Sequence, residues 1–225
     1  MTETSAPTHA AEVRRTVYRV LSSLHLYPDE ERIEALRDAA PALRDDGAAL
    51  RELPGFAAWD RLLERIAGLA DDEAVSLAEE YTALFLSGAR NRSSPPYESA
   101  HIASGPFDAG AIGAAVEIVY AEAGLAVGGA AKGELPDHVA VELDFMSWLC
   151  GKETEAAAPS EELEWRARQR SFLDEHLLRW LPSFAAGVAR AVPASFYLDV
   201  ARAAQEFAEH DILLIDALAE GGTAG

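Results

Sequence analysis

Apolar residues recur at spacings of three and four along most of the chain, which is the period of an amphipathic helix. The first stripe of this kind consists of Val13, Val17, Val20, Leu21 and Leu24. It predicts a helix that starts at about residue 12 and ends near Pro28, because a proline cannot continue the hydrogen-bond ladder.

The same period predicts that most of the remaining chain is helical. Helices are expected over residues 29–45, 56–69, 71–85, 107–124, 136–151 and 160–181, after Pro182, and over residues 194–219. Asp29 is well placed to cap the second helix, and Pro41 should break or kink it. No segment alternates in the manner of a strand. The pattern therefore predicts an all-α fold, a single globular domain of about nine or ten helices over residues 12–220, preceded by a disordered lead-in at residues 1–11.

Two breaks interrupt this helical pattern. Residues 87–106 are rich in Ser, Pro and Gly and predict a loop that is unusually long for a helical bundle. The Gly-rich residues 124–133 form the second break. We expect a hinge loop near residues 124–138, and such a flexible connection would permit a homodimer formed by helix swapping.

The chain is strongly acidic. It has 38 Asp and Glu against 19 Lys and Arg, for a formal net charge of −19. Nucleic acids and anionic membrane surfaces bind proteins through cationic side chains, so this charge argues against both as partners. A basic peptide or protein remains a suitable partner.

The expected compartment follows from cysteine content and from apolar runs. The first fifteen residues lack the apolar stretch of a signal peptide, and no run approaches the roughly 18–20 residues that a membrane span requires. The single cysteine, Cys150, cannot form an intramolecular disulfide and is expected to be a small buried residue. These features predict a cytoplasmic protein without a membrane span.

Residues suited to metal or nucleotide chemistry occur only in incomplete patterns. Glu98 and His101 have the i, i+3 spacing of a di-iron bundle, but no second copy follows. His138 and Glu142 lie one turn apart without a nearby His or Cys to complete a zinc set. The Gly-rich stretch lacks the GK[ST] ending of a phosphate loop. We therefore expect no catalytic residue, metal or cofactor, and a helical metal- or nucleotide-dependent enzyme that uses these four residues is the alternative.

Both breaks are flanked by side chains that helix packing does not require. Pro136 is expected at the first helical position and Asp137 at the positive helix end, which makes His138 the first side chain to reach sideways. Beside the first break, paired prolines hold the chain extended and present Tyr97. The segment around Tyr97 is explained equally well as a surface loop in which the tyrosine packs against the loop itself.

Four stretches follow one another in a distinctive order. They are EYTALFL at residues 80–86, PPYES at 95–99, ELPDHVAVELDFM at 134–146 and FLxxHLxxWxPxF at 172–184. In this order they resemble the TorD/DmsD/NarJ family of redox-enzyme maturation chaperones over about residues 80–184. In the trimethylamine-oxide and dimethyl-sulfoxide reductase branches the third stretch commonly begins EPxDH, whereas ELPDH here is closer to the nitrate-reductase-type branch.

The resemblance implies an all-helical chaperone that is not an enzyme. Such a chaperone binds the apo catalytic subunit of a molybdopterin oxidoreductase, often through its twin-arginine signal peptide, and withholds it from export or assembly until the cofactor is inserted. Carried over to this chain, the peptide-binding or hinge positions are Pro136, Asp137 and His138, with Phe85, Pro96 and Tyr97 lining the same region.

The chemistry of a twin-arginine leader extends this expected site. Two guanidinium groups followed by an apolar helix-forming segment call for carboxylates beside an apolar groove. The expected carboxylates are Glu98, Glu134 and Asp137. The expected apolar side chains are Phe85, Tyr97, Phe145 and Trp148. An acidic structural adaptor, which would bind a folded partner through its helix faces, is the second alternative.

Overall fold

Ten α-helices and two π-helical turns make up the part of the chain that the computed structural model describes, which is residues 6–46, 56–70, 73–87, 94–128 and 131–222. The helices are α1 (Ala6–Leu24), α2 (Glu30–Asp46), α3 (Phe56–Ala67), α4 (Glu73–Tyr81), α5 (Glu98–Ile102), α6 (Pro106–Glu122), α7 (Val139–Glu155), α8 (Pro159–Phe172), α9 (Leu178–Ala191) and α10 (Phe196–Gly222). The π-helical turns, Thr82–Leu86 and Leu173–Leu177, extend α4 and join α8 to α9. The predicted all-α fold is confirmed.

The helices α1 and α7 form the most extensive pair in the described part of the bundle, and α8 also packs on α7. The long α10 covers α9 and α3, and α2 packs on α3. Large aromatic side chains fill the interior between them, with Tyr18, Trp59, Trp180 and Phe184 all buried. This arrangement places the start of α7, which carries the third sequence stretch, against the centre of the molecule.

Several helix boundaries differ from the predicted ones. α1 begins at Ala6, so part of the expected lead-in is helical, and residues 1–5 lie outside the described part. The helix α2 continues through Pro41, and α9 continues through Pro182. The predicted break at each of these prolines is therefore wrong, and α9 follows directly on the π-helical turn Leu173–Leu177.

The five apolar residues of the stripe predicted for α1 are all buried. Asp29 caps α2 as expected, by accepting a hydrogen bond from the Arg32 backbone N–H at 2.8 Å. Ile33 and Leu36 are buried on the same helix, and Leu77 is buried on α4.

Two further features bear on the expected location and chemistry of the protein. None of the described helices combines the length and the apolar character needed to cross a membrane. Cys150 is a free, buried thiol in α7, and burial raises its pKa to about 12. The thiol is therefore protonated and enclosed at neutral pH.

Candidate functional site

The second and third sequence stretches meet in an antiparallel β-bridge between Tyr97 and His138. The Glu98 backbone N–H donates to the Asp137 carbonyl at 2.9 Å, and the Val139 N–H donates to the Pro96 carbonyl at 2.9 Å. Tyr97 is extended, with φ −126° and ψ 135°, but the chain bends at Pro96, so the predicted extension does not run through both prolines. The bridge joins the two segments that flank the predicted breaks.

The start of α7 differs from the prediction in a way that changes the roles of Pro136, Asp137 and His138. The helix begins at Val139, and His138 is its N-cap. Pro136 and Asp137 lie in a turn that is closed by the His138 N–H donating to the Leu135 carbonyl at 3.1 Å, so Pro136 is not the first helical residue. Chain pairing with the 94–97 segment has overridden the helix-start signal of the Pro-Asp pair.

Asp137 and His138 both point inward. The Asp137 Oδ2 accepts a hydrogen bond from the Ser99 N–H at 3.0 Å, and the His138 Nδ1 accepts one from the Ala140 N–H at 3.1 Å. Each residue is only 1% exposed. Burial, helped by the nearby His25, lowers the pKa of His138 to about 3, so the imidazole is neutral and free to accept. The Asp137 side chain thus links the two segments, whereas the His138 side chain caps α7.

A buried polar cluster lies behind the bridge. The Glu98 Oε2 is 3.0 Å from the His176 Nδ1, and the Trp180 Nε1 donates to the Glu142 Oε2 at 3.1 Å. Glu98 and Glu142 are both buried. Burial and the nearby Glu98 carboxylate raise the pKa of Glu142 well above its usual value, so Glu142 holds its proton to a higher pH than a free glutamate does.

The surface beside the bridge is formed by Tyr97, Glu134 and Leu135. The Tyr97 hydroxyl donates to the Glu134 Oε2 at 3.3 Å, and the Tyr97 ring meets the His138 ring edge to face with centroids 5.0 Å apart. Glu134 is partly exposed and Leu135 is 57% exposed. Burial and the Glu134 carboxylate raise the pKa of Tyr97 to about 12. This surface therefore presents a carboxylate next to an exposed leucine.

The predicted apolar residues divide into two groups. Phe85 is buried in an aromatic cluster with Tyr81, Phe184 and Tyr197, and Pro96 is also buried. Phe85 and Pro96 therefore do not line an open surface together with Tyr97. Both side chains are packed inside the bundle instead.

Phe145 and Trp148 instead line a groove of about 250 Å³ beside the loop that follows α6. The groove is also lined by Tyr120, Leu125, Val127 and Asp144, among others. Tyr120 ties this region to the bridge, because its hydroxyl donates to the Pro136 carbonyl at 3.0 Å. The structure thus places an apolar groove with one carboxylate near the bridged segments.

The four residues of the alternative metal site do not converge. His101 contacts the Pro95 carbonyl at 2.9 Å and stacks on Trp180, whereas the sequence paired it with Glu98. His138 caps α7, and Glu142 accepts a hydrogen bond from Trp180. Across the described ranges, no group of three or more His, Cys, Asp or Glu side chains could hold a metal ion.

Two residues of the buried cluster were given no role by the sequence analysis. His176 and Trp180 belong to the fourth stretch, one turn apart, and each contacts one of the two buried glutamates. The one-turn spacing of His176 and Trp180, which places both on one face of a helix, was the signal that the sequence offered. Nothing in the local pattern named a partner for either residue, because both partners lie far away along the chain.

Comparisons with known proteins agree on one group. The profile of the family described as nitrate reductase delta subunit matches residues 50–186. The chain is 35% identical over 128 residues to the "Chaperone protein TorD" of Aeromonas salmonicida, covering 56% of this chain and 55% of that protein. It is 34% identical over 162 residues to the "Selenate reductase assembly chaperone protein" of Thauera selenatis, covering 68% of this chain and 79% of that protein.

One solved structure, "Crystal Structure Of A Putative Redox Enzyme Maturation Protein From Archaeoglobus Fulgidus", overlays on this chain with a TM-score of 0.49 and 21% sequence identity. The overlay covers 93% of this chain and 97% of the other.

Proposed function

The chain belongs to the TorD/NarJ family of redox enzyme maturation proteins, and from this premise we propose that it is a cytoplasmic chaperone that binds the apo catalytic subunit of a molybdopterin oxidoreductase. It recognises the twin-arginine leader of that subunit and withholds it from export until the cofactor is inserted. In this role the protein has no catalytic residue of its own.

The observation that carries this proposal is the bridge between Tyr97 and His138. It brings two of the four stretches that resemble the family into one place and leaves Glu134 and Leu135 at the surface beside them. A carboxylate and an exposed leucine match the first arginine and the first apolar residue of a twin-arginine leader. The names of the relatives support a role in assembling a reductase.

Charge supports the same kind of partner. The net charge of −19 attracts a basic leader over distances of several ångströms and raises its association rate at low salt. Asp137 and His138 then serve the site indirectly, since Asp137 links the bridged segments from inside and His138 caps α7.

Binding of synthetic leader peptides tests the proposal. The panel comprises the leader of each molybdopterin oxidoreductase encoded in the genome of the source organism, each with a variant in which both arginines are replaced by glutamine. We expect one leader to bind and its glutamine variant to bind at least about tenfold more weakly, because charge-assisted hydrogen bonds are lost. If no leader binds, recognition through the leader is wrong.

A matched pair of carboxylate variants tests the location of the site. Glu134→Gln should weaken binding about five- to tenfold, whereas Glu164→Gln, at an exposed position on α8, should leave binding unchanged. Equal effects of the two variants would show a general charge effect and would remove Glu134 from the site.

A further inference from the structure

The outer face of α6 carries a continuous apolar stripe. It consists of Phe107, Ala111, Ala114, Ile118 and Ala121, here called the α6 seam, and all five residues are exposed. Phe107 is 95% exposed and Ile118 is 58% exposed. The inner face of the same helix buries Val116 and Tyr120. The helix is therefore apolar on both sides, which is unusual for a helix with one face in solvent.

The spacing within the α6 seam favours a helical occupant. The five residues follow one another at alternating intervals of four and three, which is the pattern of a coiled-coil seam. Alanines at three of these positions leave room for close approach of a second helix. From Phe107 to Ala121 the seam is about 21 Å long at 1.5 Å per residue, which accommodates a segment of about fourteen residues.

The acidic residues around the α6 seam favour an occupant that carries positive charges. At 100° per residue, Glu117 lies on one margin of the seam and Asp108 and Glu122 lie on the other, and all three are exposed. Residues 94–131 contain no Lys or Arg. A second copy of the chain would place these carboxylates opposite one another, which is unfavourable, whereas a helix flanked by cations would pair with them.

We propose that the client leader continues, after its two arginines, as an amphipathic helix with cationic margins, and that this helix docks on the α6 seam. This inference rests on the proposed function and adds a second contact surface to it. The helix α6 adjoins the bridged segments, because Tyr120 contacts Pro136 and a Cβ at Gly113 would lie 3.6 Å from the Asp137 Oδ1. The contacting residues Tyr120 and Gly113 lie on the inner side of α6. A leader that places its arginines near Glu134 therefore passes over one margin of α6 before its helix lies along the seam.

The test uses a labelled synthetic peptide of defined composition. The peptide has two adjacent arginines followed by an alanine-based helix with leucines at alternating spacings of four and three and lysines on its margins. We expect it to bind the full chain and to become helical on binding, as measured by fluorescence anisotropy and circular dichroism. Phe107→Ala and Ile118→Ala should each weaken binding about tenfold, because a large side chain no longer becomes buried.

Matched variants separate the seam from other exposed apolar residues. Leu213→Ala, at a 62% exposed leucine of α10, should leave binding unchanged. Because Phe107 makes little contact with its own chain, Phe107→Ala should keep the wild-type melting temperature, so a loss of binding is not a loss of folding. A peptide with serines in place of the leucines should not bind.

The outcomes distinguish this inference from the proposed function. Suppose that a genomic leader binds wild type, and that the seam variants bind both this leader and the synthetic peptide with wild-type affinity. The seam proposal is then wrong and the chaperone proposal stands. Failure of the synthetic peptide to bind wild type also overturns the seam proposal. A dimer in sedimentation equilibrium that Phe107→Asp abolishes would show that a second copy covers the seam, and would likewise overturn it.

Discussion

The buried pair Glu98 and Glu142 shows how single residues set the chemistry of the region behind the bridge. Glu98 has an imidazole within 3.0 Å, whereas Glu142 accepts from the neutral indole N–H of Trp180. Two adjacent charged carboxylates would be costly in a core, so one of them holds a proton. Burial and the Glu98 charge both raise the pKa of Glu142, which favours its protonated form.

Glu142 should make the stability of the protein depend on pH. Its pKa is raised on folding above the usual 4.5, so its contribution is complete below pH 4.5. Above that pH the unfolded chain releases this proton while the folded chain keeps it, and the free energy of unfolding falls by up to about 1.4 kcal/mol per pH unit until the folded pKa is passed. Urea unfolding of wild type and Glu142→Gln between pH 4.5 and 8 measures this slope.

The glutamine variant should lose this slope because its amide does not titrate. Its oxygen can still accept from Trp180, so the variant should gain stability relative to wild type as the pH rises. Glu164→Gln, at an exposed position, should keep the wild-type slope. A parallel pH profile for Glu142→Gln and wild type would mean that Glu142 is ionised in the fold.

At the scale of elements, the 94–97 segment is held by a close approach to α9. The Ser94 hydroxyl donates to the Phe184 carbonyl at 3.1 Å, and the Ser94 N–H donates to the Leu84 carbonyl at 3.1 Å. Gly187 makes this approach possible, because a Cβ there would lie 2.2 Å from the Ser94 Oγ and 3.0 Å from its Cβ. Position 187 therefore fixes where the bridge-forming segment crosses the bundle.

Substitution of Gly187 should reverse the usual effect of replacing a helical glycine. In an open helix, Gly→Ala stabilises by up to about 1 kcal/mol. Gly187→Ala should instead destabilise by about 1–3 kcal/mol, because the new methyl group forces Ser94 and the bridged segment to move. Thermal unfolding measures the change.

Gly110 provides the matched control, since a Cβ at this position of α6 has nothing within 4 Å. Gly110→Ala should raise the melting temperature, and Ser94→Gly should restore part of the stability that Gly187→Ala loses. If Gly187→Ala and Gly110→Ala have the same sign, Ser94 is not held against α9 as described.

Some of the helices could be predicted from the sequence, and others could not. Helix periodicity predicted α1, α3 and α10 well, because one stripe of each faces the core along its length. The helix α5 has only five residues, too few for a period to show, and it was predicted as loop. The late start of α7 depends on pairing with a distant segment, which no local pattern encodes. For the same reason the sequence could identify Asp137 and His138 but not their inward orientation.

At the scale of the whole molecule, a buried ionic network joins the two ends of the chain. The Arg14 Nη1 on α1 lies 2.9 Å from the Glu153 Oε2 on α7, and its Nη2 lies 3.0 Å from the Asp211 Oδ2 on α10. Gln169 on α8 contacts the same guanidinium, and the Tyr18 hydroxyl donates to the Asp211 Oδ2 at 2.7 Å. Helical periodicity could not separate Arg14, which is buried, from its exposed neighbour Arg15.

Removal of the Arg14 charge should therefore destabilise the whole fold. Arg14→Met would leave the Asp211 carboxylate without its guanidinium and Glu153 with Arg166 alone among its ion-pair partners, and we expect a loss of about 3–5 kcal/mol in urea unfolding. Arg44→Met, which removes a partly exposed ion pair with Asp60, should cost about 1 kcal/mol or less. The double variant Arg14→Met/Asp211→Asn should recover part of the loss, because one carboxylate is no longer charged. If Arg14→Met costs no more than Arg44→Met, the network does not hold the terminal helices together, and packing of α1 along α7 alone fixes their positions.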